Sequence, residues 1–205
     1  EEADGDLVPM LDVPAATVNL PGTIADYRDS FWTLYKDTRA QVRALGGEYN
    51  GGRLDPDNFD RIIVWSADDL TQSTGLAYVG GKFAWLGNGL SGGVAVHELG
   101  HNWGVYHANS WLHAGGKPRS SEGRHGEYGG AGDIMGGGGP FSVMFKYQLG
   151  FLEQNADPAR AEILEAREGG VFRLYDHTNV NAKNPASRVR GLWIPITDPT
   201  GGIPY

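Results

Sequence analysis

The sequence has no cysteine. That excludes a disulfide framework, a cysteine-ligated metal site and a cysteine nucleophile; it fits the cytosol and equally fits many exported bacterial proteins. Basic residues are scarce: 17 Lys and Arg stand against 25 Asp and Glu, a formal net charge of -8. Phosphate binding needs clustered Lys and Arg, so nucleic acid is not an expected partner. No apolar run is long enough to span a bilayer, and no membrane partner is expected. The chain opens on Glu1-Glu2-Ala3-Asp4 with no Met and no signal peptide, which reads as a processed amino terminus.

What is plentiful is glycine, at 32 residues, alongside six tryptophans and an apolar fraction of 40%. No Gly-X-Y period is present, so collagen is excluded, and the apolar content argues against disorder. A chain of 205 residues is long enough for one domain with a sizeable core. The glycines point to long irregular loops.

Hydrophobic spacing orders the elements. Residues 16–20 are a candidate first strand. Ile24, Tyr27, Phe31, Leu34, Tyr35, Val42 and Leu45 recur at helical spacing, which predicts one helix over 24–45, ended by Gly46-Gly47. Residues 48–60 read as a turn-rich loop, and Asp55, Asp57 and Asp60 within it are candidate calcium ligands set against an ordinary Asp-Pro-Asp-Asn turn. Residues 61–66 form a short buried strand, and 76–79 with 82–86 a hairpin about Gly80-Gly81. A helix is expected over 91–103, capped by Ser91 and stopped at Gly104. Residues 108–140 are a long Gly-, Ser- and His-rich loop, a length that is usually functional. A short helix over 141–149 ends at Gly150, a polar helix is expected within 156–168, and strands over 171–175 and 189–196. The organisation expected is one domain over 1–155 and an extension over 156–205 that begins a small β-rich appendage.

One segment carries chemistry: His97-Glu98-Leu99-Gly100-His101-Asn102-Trp103-Gly104-Val105-Tyr106-His107. Its first five residues fit H-E-x-x-H. Residues four apart on a helix lie one turn above each other, so His97 and His101 aim at one ion. Glu98 points to a neighbouring face, unsuited to ligation but able to serve a water there as general base. A catalytic zinc needs a third protein ligand and an open position. His107 is the candidate. An unbroken helix would carry it about 600° round from His101, nearly to the opposite face. Gly104 is where the chain can turn back, because glycine tolerates positive φ. Five fixed positions coincide by chance on the order of once in 10⁴ chains of this length. A non-catalytic zinc site is the more serious rival, although it needs no Glu98 and more often has four protein ligands.

This motif is that of the metzincin zinc peptidases, and the chain resembles them further. Gly132-Asp133-Ile134-Met135-Gly136 is similar to their Met-turn, with Met135 as the residue packed beneath the imidazoles. Gly75 to Gly81, His97 to Ala108, Gly132 to Gly136 and Phe141 to Leu152 together resemble the gametolysin-like group, over roughly residues 75–152. Gly137 stands where some metzincins carry a tyrosine ligand two residues after the methionine, so such a ligand is absent or comes from elsewhere; Tyr128 and Tyr147 are the candidates, with a structural role as the first reading of each.

The resemblance implies an α+β (mixed α/β) catalytic domain. A twisted sheet, a backing helix and the zinc helix form its upper lobe, and a loop-rich lower lobe holds the Met-turn and a C-terminal helix. It implies a secreted zinc endopeptidase acting on extracellular matrix or cell-wall protein, with one catalytic Zn²⁺, Glu98 as catalytic base, and His97, His101 and His107 as ligands. It also implies an edge strand, here Lys82, Phe83, Ala84 and Trp85, along which an extended polypeptide substrate lies. His113 and His125 are expected at the surface, outside the metal set. The alternative reading is a binding or adhesion module that keeps zinc without catalysis.

Overall fold

The computed structural model describes residues 17–49, 52–66, 73–113, 115, 122–154, 161–178 and 189–195. They form a mixed α and β chain of two compact units, residues 1–102 and 103–205.

In the first unit the expected long helix is two: α1 (Ile24–Asp29) and α2 (Phe31–Leu45). Ser30 interrupts them in extended conformation, φ -149° and ψ 101°, and its side chain accepts the Thr33 N–H at 3.2 Å. Serine offers the backbone this local alternative to a helical bond, so apolar periodicity ran on through a cap it did not register. A capping box between Thr23 and Asp26 starts α1. Gly46, at φ 62°, ends α2 as expected. The 48–60 stretch holds a small hairpin, β1 (Glu48–Tyr49) with β2 (Gly52–Arg53), and a 3₁₀ turn over Pro56–Asn58.

Three strands make the sheet of this unit: β3 (Ile62–Trp65), β4 (Gly75–Ala77) and β5 (Phe83–Leu86). The order is β3-β5-β4, with β5 parallel to β3 and antiparallel to β4. Phe83 and Trp85 point to one face and pack with Tyr27 and Leu34 of the helices, joined by Ile62 and Val64. Trp85 and Leu34 are fully buried, so each contributes about 1.5–3 kcal/mol or more relative to exposure. Helix α3 (Gly92–Asn102) packs on β4 and β5. Ser91 starts it, its Oγ accepting the Val94 N–H at 3.4 Å and its carbonyl the Ala95 N–H at 2.9 Å.

In the second unit the long loop is not structureless: β6 (Ser110–Leu112) and β7 (Arg124–Gly126) pair antiparallel within it. Helix α4 (Val143–Gln148) is capped by Ser142 and followed by Gly150 at φ 76°. Val105, Met135, Phe141 and Phe145 form the core here. Strands β8 (Ile163–Glu165) and β9 (Gly191–Trp193) pair in parallel. Within 156–168, where a helix is expected, the described residues hold no helix, and Ile163-Leu164-Glu165 is a strand because the run finds a partner in Gly191–Trp193. Residues 171–175 make no ladder with any described residue; Val171 is fully exposed, and Tyr175 donates its N–H to Val189 O at 2.9 Å. Residues 17–20 are not a strand, and residue 16 lies outside the described residues. Among the described residues no helix is long and apolar enough to cross a membrane.

Candidate metal centre

Helix α3 presents His97 and His101 one turn apart, their rings 4.8 Å between centroids and nearly perpendicular. The helix is fixed at its C-terminal end by the β4–β5 hairpin. The Gly80 N–H donates to His101 O at 2.8 Å, taking one of the carbonyls a helix end leaves open. Asn102 Nδ2 donates to Tyr78 O and Phe83 O, both at 3.0 Å, clasping the two sides of the turn. Asn102 is almost fully buried, and its Oδ1 has no hydrogen-bond partner among the described residues. Nothing in its sequence neighbourhood marked it out, because its partners are carbonyls of a hairpin 19 and 24 residues away.

After Asn102 the chain turns. Gly104 has φ 99°, the left-handed region in which a side chain is strained. The reversal brings His107 back, and one ring nitrogen from each of His97, His101 and His107 lies within 4.8 Å of the others. Ligands on a common tetrahedral ion at 2.0–2.1 Å stand roughly 3.3 Å apart, so modest rotation of the rings closes the set. Three imidazoles are a donor set for a borderline divalent ion such as zinc, copper, iron or nickel. The cluster can bind a metal ion.

Glu98 lies outside this donor set. It is 5% exposed, and no described residue hydrogen-bonds its carboxylate. Burial pushes its carboxyl up from the ordinary 4.5 to about 7. Its side chain rests on β4 at Gly75, where an added Cβ would come 2.8 Å from Glu98 Cδ. Sequence reasoning found Glu98 but missed Gly75; a glycine in a short strand is the available signal, since it marks close approach by another group.

The Met-turn segment is a tight turn. Asp133 O accepts the N–H of Gly136 and of Gly138, each at 2.9 Å. The Asp133 carboxylate, 4% exposed, takes the Met135 N–H and the Ser142 N–H, both at 2.8 Å. Met135 is fully buried beside Val105, and its carbonyl accepts the Ala108 N–H at 2.8 Å, next to His107. Met135 is thus a packing residue of the second unit's core, with Asp133 as the group that shapes its turn.

His107 has its own partners in the second unit. Its Nδ1 lies 2.8 Å from Glu127 Oε1, and its ring packs on Tyr128, 3.9 Å between centroids with the planes tilted by 36°. His113 and His125 stay outside the metal group: His113 Nδ1 accepts the Gly115 N–H at 2.9 Å, and His125 stands edge-on to Trp111. Tyr147 donates its hydroxyl to Gln154.

One expectation needs correction. Residues 82–86 are not an edge strand. β5 is the central strand, hydrogen-bonded on both sides, and Phe83, Ala84 and Trp85 are at most 1% exposed. Lys82 turns its Nζ to Phe59 O at 3.2 Å. A strand with both edges used and both faces covered has nothing to offer an extended peptide. The apolar character of Phe83 to Leu86 is what takes it to the middle of the sheet. Of the two readings of the Asp55 to Asn58 segment, the structure shows the turn. Asp55 accepts from Arg43 Nε at 3.1 Å and from the Asp57 N–H at 3.0 Å, and Asp57 pairs with both Arg39 and Arg43. The Asp57 N–H, then Arg43, holds the Asp55 carboxyl below the usual range. These carboxylates serve a turn and two arginines of α2.

Comparison with known proteins brings no match: no protein-family model, no curated protein and no solved structure matches the chain significantly. The functional reading therefore rests on the residues of the site.

Proposed function

We propose that this chain is a zinc-dependent endopeptidase of the metzincin type. The observation that carries the reading is the convergence of three imidazoles beside a buried carboxyl, Glu98, that no described residue engages. Three protein ligands leave a tetrahedral ion one open position, the arrangement of catalytic rather than structural zinc sites. His97, His101 and His107 would hold the zinc ion, which would supply Lewis-acid activation of water and polarisation of the scissile carbonyl.

The chain's own residues do the rest. Glu98 takes the proton from water as the peptide carbonyl is attacked and returns it to the leaving amine. Burial favours its protonated form, and a cation beside it favours the carboxylate, so the group can exchange protons near neutrality. Gly75 lets the Glu98 side chain lie flat on β4.

The place for an extended substrate is β4, not β5. Gly75–Ala77 is hydrogen-bonded to β5 on one side, and no described strand pairs with its other edge. A peptide added there would bind through its main chain, with side-chain pockets setting preference. Glu98 sits against the first residue of that strand. The substrate class, extracellular matrix or cell-wall protein, and secretion follow from the resemblance to gametolysin-like peptidases.

The rival is a zinc-containing adhesion module. A buried carboxyl that no described residue engages costs stability, and a structural metal site has no use for it. Its presence favours catalysis. A peptide-library digest with and without a zinc chelator tests the proposal: cleavage abolished by the chelator and restored by zinc supports it, and no cleavage by the zinc-loaded chain overturns it.

A further inference from the structure

His97 and His101 are held by a helix; His107 is not. It follows the Gly104 turn on irregular chain, so something else must hold its ring. The hairpin β6–β7 ends in a turn closed by the Gly129 N–H to Gly126 O at 3.1 Å, with Glu127 and Tyr128 at the two central positions. Tyr128 has φ 58°, and Glu127 is not among the positive-φ residues. A turn with positive φ at its second central position calls for glycine or asparagine. Tyrosine there is held against its own backbone preference, in a stretch where residues 126, 129 and 130 are all glycine.

The ring is not there to fill a core, since Tyr128 is 48% exposed. What it does is pack on the His107 imidazole. Its neighbour Glu127 reaches the same imidazole at Nδ1, although its own side chain is two-thirds exposed. An ion pair that exposed adds little to folding. A carboxylate on Nδ1, however, fixes the tautomer in which Nε2 carries the free lone pair, and it sets the ring's rotation.

The turn itself is firmly seated. The Tyr128 N–H donates to Asn109 Oδ1 at 3.2 Å. A Cβ at Gly129 would come 2.7 Å from Ser110 Cβ, and one at Gly130 would come 2.8 Å from Ala108 O. Turn and chain therefore lie in contact, with no room for side chains between them.

We propose that the Gly126–Gly129 turn is a clamp for the third histidine, in which Glu127 and Tyr128 are positioning residues that aim His107 Nε2 at the metal. Strain at Tyr128 is kept because the packed ring is needed there. The proposal rests on the reading of the three histidines as zinc ligands, and it concerns metal affinity, not the cleavage reaction.

The test is zinc affinity of the full chain by competition with a chromophoric chelator, together with the melting temperature of the metal-free protein. Glu127→Ala is expected to weaken zinc binding about 10- to 100-fold, and Glu127→Gln, which keeps an acceptor oxygen, to recover most of that loss. Tyr128→Gly relieves the backbone, so its metal-free melting temperature is expected to equal or exceed the parent's while its zinc affinity falls about fivefold or more. That opposite movement is not produced by a residue that only supports the fold. Affinities of Glu127→Ala and Tyr128→Gly within twofold of the parent's would overturn the clamp. So would affinity losses matched by falling metal-free melting temperatures. A parent that binds no zinc removes the metal reading and the clamp together; a parent that binds zinc but cleaves nothing removes the peptidase reading and leaves the clamp standing.

Discussion

Gly75 and Glu98 are in van der Waals contact: the Cα of a strand residue is the surface on which the buried carboxyl lies, and a Cβ there would stand 2.8 Å from Glu98 Cδ. A methyl group in that position must push the carboxyl away. Gly75→Ala is expected to lower peptide cleavage by about tenfold or more, since small misplacements of a reacting group are costly. Zinc content should stay at the parent level, because the three atoms nearest that methyl's position all belong to Glu98, which lies outside the donor set. Overpacking is expected to cost about 1–3 kcal/mol of stability. Kinetics on the zinc-loaded variant, beside its metal content, check both parts; unchanged cleavage would show that Gly75 does not set the carboxyl's place.

The burial of Glu98 has a consequence for stability against pH. In the metal-free chain its carboxyl is pushed up to about 7 from the ordinary 4.5. The folded state therefore holds the proton more tightly than the unfolded state. The resulting stability is fully present below pH about 4.5 and is lost as pH rises through about 7. Denaturant unfolding of the chelated protein should show this loss, on the order of 3 kcal/mol. Glu98→Gln should flatten it; an identical pH profile in that variant would place the titration elsewhere.

Gly104 is the pivot that returns the chain to the metal. At φ 99° an alanine is strained, so Gly104→Ala is expected to cost about 1–2 kcal/mol and to weaken zinc binding by displacing His107. Calorimetric melting and zinc titration read the two effects, and parent-like values in both would mean that the turn does not depend on glycine.

The Asp133 carboxylate satisfies two backbone N–H groups inside a buried turn. Asp133→Ala leaves both without an acceptor, and the expected cost is about 2–4 kcal/mol. Asp133→Asn keeps one acceptor oxygen and should cost less. Denaturation midpoints of the two variants separate these outcomes; equal stability of Asp133→Ala and the parent would contradict the role.

Much of the metal site was legible because its parts lie close in sequence. His97, Glu98, His101, Gly104 and His107 are spaced by helix geometry and one glycine turn, and both are local physics. The hairpin over β4 and β5 was legible for the same reason. What escaped were relations set by distant chain. Apolar alternation cannot say which of two paired strands is central; the resemblance puts residues 82–86 at the edge, whereas β3 pairs with β5 on its other side. Ser30 is a polar residue within a helical period, and only its bond to the Thr33 N–H shows that it ends one helix and begins another. Glu127 and Tyr128 are 20 and 21 residues from His107, in a stretch that reads as loop, and only folding brings them to its ring.

Glu98→Ala removes the proposed base without touching a ligand. The most direct measurement is the rate at which that variant, loaded with zinc to the parent's stoichiometry, cleaves a casein or gelatin substrate. A loss on the order of a hundredfold or more at unchanged zinc content is expected. Cleavage as fast as the parent's, with zinc bound, would contradict the assignment of Glu98 and with it the proposed mechanism.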